Sequence, residues 1–411
     1  MSEYNAKKIK GTSGEWDIVI GLEVHAQVTT NLKLFSNGAA DFRKEANQKL
    51  DLLDIGLPGT LPVINSMAVD QAIKTGLALN ATINKKSIFD RKNYFYPDLP
   101  LGYQISQFKD PIVSEGYINI DISDDKTKTI KIERLHLEQD AGKSLHDQSP
   151  DKTFIDYNRA GVALMEIVSY PDLSDWVEAG DYLTKLRSIL RFANTCDGNM
   201  EEGSLRCDAN VSVRKPNEPL GIRCEIKNLN SIKNLMKAIE YEANRQVKSL
   251  ESGNKIVQET RLFDTNSGIT KTMRSKEEAH DYRYFPDPDL LPLELTDERI
   301  EDIRKTLPEL PDDLKTRLKD QYGLGAYDAR VISSDQDTAK YFETLSNGRD
   351  AKQAANWIIT NLFGKLNDIG KSIEDSPIDA KELGKLLDLI NKQIISNKIA
   401  KEVFEEMFIS G

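Results

Sequence analysis

The sequence predicts an α+β protein in which strands with one polar face precede a helical region. From Ile18 to Val28, apolar side chains occupy every second position, which is the period of a strand with one buried face. Such strands alternate with helical segments up to about residue 290, a mixture that favours an antiparallel sheet over βαβ repeats. From about Thr296 onward the apolar spacing is almost entirely helical.

Three helices are predicted within the strand-rich part. Ser66, Ser174 and Ser231 are each followed by apolar residues at helical spacing, so we expect these serines to be N-caps. The remaining alternating segments are expected to be strands, and they lie at residues 117–122, 129–140, 204–214 and 222–228.

A shift in composition predicts the domain boundary. Residues 287–292 are rich in Asp and Pro, and the purely helical pattern begins shortly after them. We therefore predict a flexible lead-in over residues 1–16, an α+β domain over 17–294 and a helical domain over 295–411.

Composition restricts the classes of protein that fit. The 411 residues are 39% hydrophobic, no stretch approaches the roughly 20 apolar residues of a membrane span, and the N-terminus lacks a secretory signal. The three cysteines contain no CxxC pair, which predicts a reduced, cytoplasmic protein. A net charge of −11 argues against binding nucleic acid with the whole surface but allows a local basic patch.

The polar face of the first strand is a candidate metal site. Glu23, His25 and Gln27 lie on one face, and neighbours two residues apart are roughly 6.5–7 Å from each other along a strand. A carboxylate and an imidazole could therefore reach one cation. The alternative is a strand whose second face is merely solvated.

Similar polar faces recur downstream, and together they favour a Mg²⁺–nucleotide site. Mg²⁺ prefers carboxylate and phosphate oxygens, whereas phosphates bind Arg and Lys. The alternative for any single strand is a solvated face crossed by weak surface ion pairs. The charged sets are Arg134, His136 and Glu138; Asp156 to Arg159 with Glu166; Arg206, Asp208 and Asn210; and Arg223, Glu225 and Lys227.

Covalent acyl-enzyme chemistry is not expected. Gly142-Lys143-Ser144 resembles the end of a P-loop, but the first glycine of that motif would fall at Leu137, so we reject a P-loop. There is no G-x-S-x-G elbow. Cys207 and Cys224 lie on the apolar sides of their strands, as structural thiols do.

Seven motifs occur in the order typical of one family, and the chain resembles the B subunit of the glutamine-dependent aspartyl/glutamyl-tRNA amidotransferases over essentially its whole length. The motifs are VIGLEVH (19–25), FDRKNYFYPD (89–98), YQISQF (103–108), DAGKS (140–144), MEEGSLRCDAN (200–210), KNLNS (227–231) and DYRYFP (281–286).

The resemblance implies a fold and a reaction. The fold would be a cradle domain similar to glutamine synthetase, on an antiparallel sheet that binds Mg²⁺ and ATP, followed by an all-α domain. ATP would phosphorylate the side-chain carboxylate of Glu on tRNA(Gln) or Asp on tRNA(Asn). Ammonia released from glutamine by the amidase A subunit would then displace phosphate, and the small C subunit would complete a heterotrimer. No membrane is involved.

The matched motifs suggest a role for each charged residue. We expect metal ligation or its support from Glu23, His25, Glu138, Glu202 and Glu225. We expect catalytic contacts to phosphate or acyl phosphate from Lys143, Arg159, Arg206 and Lys227, together with Glu23. The expected cofactor-binding residues are Asn158, Ser204, Asp208, Asn210 and Asn228.

The chain departs from the family pattern at four places. The cysteines of a zinc knuckle found in many relatives would fall at Ser36, Gly38, Asp51 and Asp54, so we expect no structural zinc. Gln139 and Asp287 each stand where Glu is usual, and a ligand at 139 would be neutral. The chain ends at Gly411, about where a tRNA-binding tail domain is expected, so we expect a shortened form with weakened tRNA affinity.

Two other functions fit the sequence. One is a free-standing ligase that acts on a small carboxylic acid without tRNA or partner subunits. The other is a tRNA-binding scaffold that has lost catalysis, for which Gln139 is the only indication.

Overall fold

The alternating segments form the strands of one large mixed sheet in a computed structural model that describes residues 6–41, 45–124, 126–146, 148–275 and 281–410. The chain divides into two compact units, residues 1–307 and 308–411. The strands lie in the first unit and are β1 (Ile9–Gly11), β2 (Gly14–Gln27), β3 (Thr82–Ile83), β4 (Lys86–Ser87), β5 (Asp90–Asn93), β6 (Tyr103–Ser106), β7 (Val113–Ser123), β8 (Lys126–Gln139), β9 (Lys143–Leu145), β10 (Phe154–Asp156), β11 (Ala163–Ser169), β12 (Leu205–Arg214), β13 (Cys224–Leu229), β14 (Glu259–Asp264), β15 (Ile269–Ser275), β16 (Phe285–Pro286) and β17 (Leu293–Glu294).

Among the described residues, the large sheet has ten strands in the order β15-β14-β13-β12-β2-β11-β8-β7-β3, with β1 also paired to β2. Every neighbouring pair is antiparallel except β13 and β14, which are parallel. The expectation of a wholly antiparallel sheet is therefore wrong at this pair. A long helix between β13 and β14 provides the crossover that parallel strands require.

Helices cover the apolar face of this sheet. In the first unit they are α1 (Ser66–Ala78), α2 (Trp176–Phe192), α3 (Ile232–Glu251) and α4 (Asp297–Arg304). The first three contact β8, β7 and β12 respectively, and α2 packs on α3. The apolar alternates of β2, from Ile20 to Ala26, are fully buried. The opposite face, which carries the polar alternates, is left to form a site.

Ser231 is an N-cap as predicted, and its hydroxyl accepts a hydrogen bond from the amide of Asn234. The other two helices are capped one residue away from the predicted serine, by Asn65 in place of Ser66 and by Asp175 in place of Ser174. In both cases an amide or carboxylate oxygen accepts two amide N–H groups of the first turn.

Residues 9–16 of the predicted flexible lead-in form a hairpin, while residues 1–5 lie outside the described part of the chain. β1 and β2 form a hairpin, and Trp16 is buried within it. The Glu251 carboxylate at the end of α3 accepts hydrogen bonds from the amides of Thr12 and Ser13, at 2.9 and 2.8 Å. A polar turn is thus fixed by a side chain that is distant in the sequence.

The first unit extends beyond the predicted boundary at residue 294. The helical pattern begins with α4, which packs against α1, and Arg299 donates to the Asp70 carboxylate at 2.8 Å. The second unit begins at Pro308. Its described helices are α5 (Pro311–Tyr322), α6 (Ala326–Ile332), α7 (Gln336–Ser346), α8 (Ala351–Asn356), α9 (Phe363–Asp368), α10 (Ala380–Asn391) and α11 (Asn397–Ser410), with a π-helical turn at Trp357–Leu362 and a 3₁₀ turn at Ile373–Asp375.

No helix in the described ranges has the length and apolarity needed to cross a membrane.

A buried ion pair holds the long loop between β2 and α1. The Lys33 ammonium and the Asp54 carboxylate are 2.8 Å apart, and both side chains are almost completely buried. Asp54 also accepts from the Ser36 hydroxyl at 2.8 Å and from the Asp51 amide at 2.9 Å. Lys33 further contacts the Tyr157 carbonyl oxygen, so the pair joins this loop to the segment that precedes Arg159.

We expect Lys33→Met to lower the free energy of unfolding by about 3–5 kcal/mol, because it leaves the Asp54 carboxylate buried without its counter-charge. The double variant Lys33→Met/Asp54→Asn removes both charges and should be clearly more stable than the single variant. Urea unfolding measures both. A double variant no more stable than Lys33→Met would contradict the ion-pair explanation.

Candidate functional site

The register of four neighbouring strands places charged residues in one row. On β11, Glu166 lies opposite His25 of β2 on one side and opposite His136 of β8 on the other. On the outer side of β2, Arg206 of β12 lies opposite His25. Directly opposed residues share a face and have Cβ atoms about 4.5–5.5 Å apart, so the four side chains form a contiguous polar row.

Glu166 in this row and Glu138, two residues after His136 on β8, face the two imidazoles. The His25 Nε2 atom lies 3.3 Å from Glu166 and 3.8 Å from Glu138, and the His136 Nε2 atom lies 3.4 and 3.5 Å from the same two groups. Across the described ranges, His25, Glu138 and Glu166 are the one set of three or more His, Cys, Asp or Glu side chains whose ligand atoms all lie within 4.8 Å of one another. This arrangement is a candidate cation site.

Mutual interaction holds the row in a charged state. Burial alone would raise the pKa values of Glu138 and Glu166, but the imidazoles of His136 and His25 lower both. Burial alone would lower the pKa of His136, but the Glu166 and Glu138 carboxylates raise it to about 9. The two carboxylates are therefore anions at neutral pH, which is the form that binds a cation.

Glu23 extends the acidic region along β2. It lies opposite Asp208 of β12, and its carboxylate accepts a hydrogen bond of 2.8 Å from the Asn210 amide. Burial raises the pKa of Glu23, and the carboxylates of Glu166 and Glu225 raise it further. This repulsion between carboxylates would be relieved by a bound cation.

Lys227 provides the counter-charge on the next strand. Its ammonium contacts the Asp208 carboxylate and lies 3.0 Å from that of Glu225. Burial alone would lower the pKa of Lys227, but Asp208 and Glu225 raise it, so the group stays charged. Glu225 also accepts from the Thr260 hydroxyl at 2.9 Å.

Asp140 anchors two arginines beside the row. Its buried carboxylate is 2.7 Å from the Arg206 Nη2 atom and 3.4 Å from the Arg159 Nε atom, and Gln27 donates to it at 3.3 Å. Although burial alone would raise the pKa of Asp140, Arg206 and Arg159 lower it. Arg159 also donates to the carbonyl oxygens of Ala141 and Gly142, so both guanidinium groups are fixed in position.

A cavity of about 490 Å³ opens beside these arginines. Lys143, Arg159 and Arg206 contribute cationic groups to its wall, and Lys143 is exposed. Three converging cations suit a polyphosphate or a developing acyl phosphate. Asp208, Asn228 and Glu202 also line this cavity.

The structure thus brings most of the candidate residues together around the row and the cavity. Three others, described next, are placed differently from what the sequence predicted. Asn158 is fully buried, and its amide bonds the backbone at Lys49 and Glu45, so it holds the loop next to Arg159. Ser204 is also buried, and its hydroxyl bonds Asp197. Glu202 lies exposed on the cavity wall.

Sequence reasoning noticed Glu166, His136 and Asp140 but gave them no role. Glu166 is the one charged residue in the apolar strand Ala163–Ser169, and a lone charge of this kind is a signal that could have identified it. The Gln139 side chain is not part of the candidate cation site, since its oxygen accepts a hydrogen bond of 3.1 Å from the Ile105 amide.

The four positions of the family's zinc cysteines are occupied by the Lys33–Asp54 loop. Ser36 and Asp51 bond the Asp54 carboxylate, and a side chain at Gly38 would collide with Asp54. The Lys33 ammonium occupies the centre of this loop.

Comparison with known proteins gives concordant matches along the chain. Residues 18–301 match the GatB/GatE catalytic domain, and residues 340–411 match the GatB domain. The aspartyl/glutamyl-tRNA(Asn/Gln) amidotransferase B subunit of Methylorubrum populi is 59% identical over 98% of this chain and 83% of its own length. The proteins of the same name from Rhizobium meliloti and Bradyrhizobium diazoefficiens are 59% and 56% identical, over 98% and 100% of this chain and 82% and 85% of their own lengths.

Matches of this extent determine the family to which the chain belongs. The chain belongs to the GatB/GatE family of amidotransferase B subunits.

Proposed function

We propose that this protein uses ATP to activate the side-chain carboxylate of Glu on tRNA(Gln), of Asp on tRNA(Asn), or of both, and then transfers ammonia to the activated carbon. The products would be Gln-tRNA(Gln) and Asn-tRNA(Asn) for protein synthesis. The relatives' names supply the class of substrate. The open polar face of the sheet would be the floor of the catalytic cradle, and the second unit would be its helical domain.

One observation carries this proposal. The acidic cluster that could hold a metal cation lies in the same row of the sheet as the cavity lined by Lys and Arg. Arg206, which lines the cavity, lies opposite His25, which belongs to the candidate cation site. ATP-dependent phosphoryl transfer needs both kinds of site next to each other, because Mg²⁺ and cationic side chains together neutralise the transferring phosphoryl group.

The donor atoms fit a divalent cation that keeps open positions. Glu138 and Glu166 would hold Mg²⁺, and His25 could join them once its ring has lost the proton that these carboxylates favour by raising its pKa against the effect of burial. Glu23 would lie beside them, and His136 would orient both carboxylates. When bound, Mg²⁺ would polarise the phosphate oxygens. Burial raises the pKa of Glu23, and repulsion from the Glu166 and Glu225 carboxylates, which a cation would relieve, raises it further.

The cationic residues have a separate task in each step. In the first step, an oxygen of the substrate carboxylate attacks the γ-phosphorus, the bond to the β-phosphate oxygen breaks, and ADP leaves. Arg206 and Arg159, fixed by Asp140, would orient the phosphates, and Lys143 would reach them from the rim. In the second step, ammonia attacks the acyl carbon, phosphate leaves with the C–O bonding electrons, and the surplus proton passes to water.

The ammonia would come from a partner. Burial raises the pKa of Cys196 and Cys224 to about 12 and raises that of Cys207 well above its ordinary value, so none of these thiols is a nucleophile for glutamine hydrolysis. We propose that the amidase A subunit releases ammonia from glutamine and that the small C subunit makes the heterotrimer complete. Unpaired cysteines agree with the cytoplasm as the location we propose.

The heterotrimer with ATP, Mg²⁺, ammonium and misacylated Glu-tRNA(Gln) should release phosphate only when that tRNA is present. Glu166→Gln keeps the shape of the side chain but removes one of the two anionic ligands. We expect it to weaken Mn²⁺ binding at least about tenfold and to slow phosphate release correspondingly. Isothermal titration with Mn²⁺ and a phosphate-release assay measure these effects.

Glu240→Gln is the matched control, since Glu240 is exposed on α3 away from the site. Phosphate release that is independent of tRNA would instead indicate a small-carboxylate ligase. Bound tRNA without any phosphate release would indicate a scaffold. Unchanged Mn²⁺ affinity in Glu166→Gln would refute the cation site.

Arg206→Lys should lower kcat/KM for ATP by roughly ten- to a hundredfold. A lysine ammonium cannot pair with Asp140 and also present planar N–H groups to a phosphate, as a guanidinium can. Arg214→Lys, on the same strand but outside the cavity wall, is the control. Equal kinetics in the two variants would exclude Arg206 from phosphate binding.

A further inference from the structure

A second cationic cavity lies beside β8, whereas the first lies beside β12. It measures about 640 Å³ and is formed by the loops that precede β4 and β7 and by the middle of β8. Lys85, Lys86, Lys109 and Arg134 line it, against Asp110 and Glu133 as acids. In a chain of net charge −11, this local excess of positive charge needs an explanation.

Two of these cations are available to a ligand. Arg134 pairs with Glu133, and Lys85 pairs with Asp297. Lys86 and Lys109 are exposed, and among the described residues neither ammonium lies within 4.0 Å of a carboxylate oxygen. Burial raises the pKa of the Asp90 carboxyl and the Lys109 charge partly opposes that rise, but neither ammonium is held in a close ion pair, so both can bind a phosphate.

An aromatic platform forms one wall of the same cavity. Phe108 lines the cavity, and its ring is stacked on that of Tyr284 with centroids 4.2 Å apart and an interplanar angle of 5°. Tyr284 covers one face of the ring, while half of the Phe108 side chain remains exposed. A flat, exposed aromatic face beside free cations is the arrangement that proteins use to bind single-stranded nucleotides.

A chain of contacts connects this aromatic platform to the candidate cation site. Tyr284 contacts Tyr282 at a ring separation of 6.1 Å, and the Lys92 ammonium lies 5.0 Å from the centre of the Tyr282 ring. Lys92 in turn lies within the electrostatic reach of Glu138 and Glu166, which raise its pKa against the effect of burial. A ligand stacked on Phe108 would thus be connected to the candidate cation site through Tyr284, Tyr282 and Lys92.

We propose that this cavity binds the 3′-terminal adenosine of the aminoacyl-tRNA, with adenine stacked on the free face of Phe108 and the preceding phosphates at Lys86 and Lys109. This inference rests on the proposed function, because the amino acid is esterified to that terminal ribose. Stacking here would direct the aminoacyl group past Tyr284 towards Glu138 and Glu166. ATP also contains adenosine, but its phosphates are better matched by the cavity beside Arg159 and Arg206.

The test compares the binding of deacylated tRNA with and without its 3′-terminal adenosine to the heterotrimer. The wild-type complex should prefer the intact tRNA, and Phe108→Ala should lose about ten- to a hundredfold of that preference, the scale of one base–aromatic stack. Phe108→Trp should restore the preference, which a merely structural role for the ring would not do. Tyr117→Ala truncates another half-exposed aromatic residue outside the cavity and should leave the preference unchanged.

The KM for ATP distinguishes the two sources of adenosine. We expect it to be the same in Phe108→Ala and the wild type, and a raised KM with unaltered tRNA preference would overturn the proposal in favour of ATP. A preference that persists in Phe108→Ala would also overturn it. Failure of tRNA-dependent phosphate release in the wild type would instead refute the proposed function, since the binding comparison requires no catalysis.

Discussion

Glu166 forms the centre of the site because its strand pairs with two others in antiparallel register. The pairing sets His25 and His136 on either side of it and Arg206 one strand further away, on the face that the helices leave open. A shift of one residue in either pairing would turn that strand's side chains to the opposite face. The buried apolar residues at every second position of β2 prevent such a shift. The hydrophobic pattern that stabilises the sheet therefore also determines the geometry of the candidate site.

The site combines opposite charges without allowing them to cancel completely. Asp140 holds Arg206 and Arg159 in place while leaving them on the cavity wall, and Lys227 neutralises Asp208 and Glu225 beside it. Glu138 and Glu166 remain anionic because His136 and His25 lower their pKa values. In an acidic protein, local cationic cavities and a separate anionic cluster can in this way lie next to each other on one sheet.

Short-range patterns in the sequence predicted the parts of this account that depend on a single strand. Alternation placed Glu23 with His25, and Arg206 with Asp208, on shared faces. It could not reveal that Glu166 stands between two histidines, because strand order and register depend on contacts between distant segments. For the same reason it assigned Asn158 to cofactor binding, whereas the amide of that residue bonds a loop more than a hundred residues earlier in the chain.

Anomalous diffraction from crystals of the heterotrimer soaked with Mn²⁺ and a non-hydrolysable ATP analogue would test the central claim most directly. The account predicts a manganese peak bound by the His25 Nε2 atom and by carboxylate oxygens of Glu138 and Glu166, with the analogue's phosphates at Arg206 and Arg159. A peak confined to the exposed carboxylates of Glu201 and Glu202, with none in the row on the sheet, would contradict it.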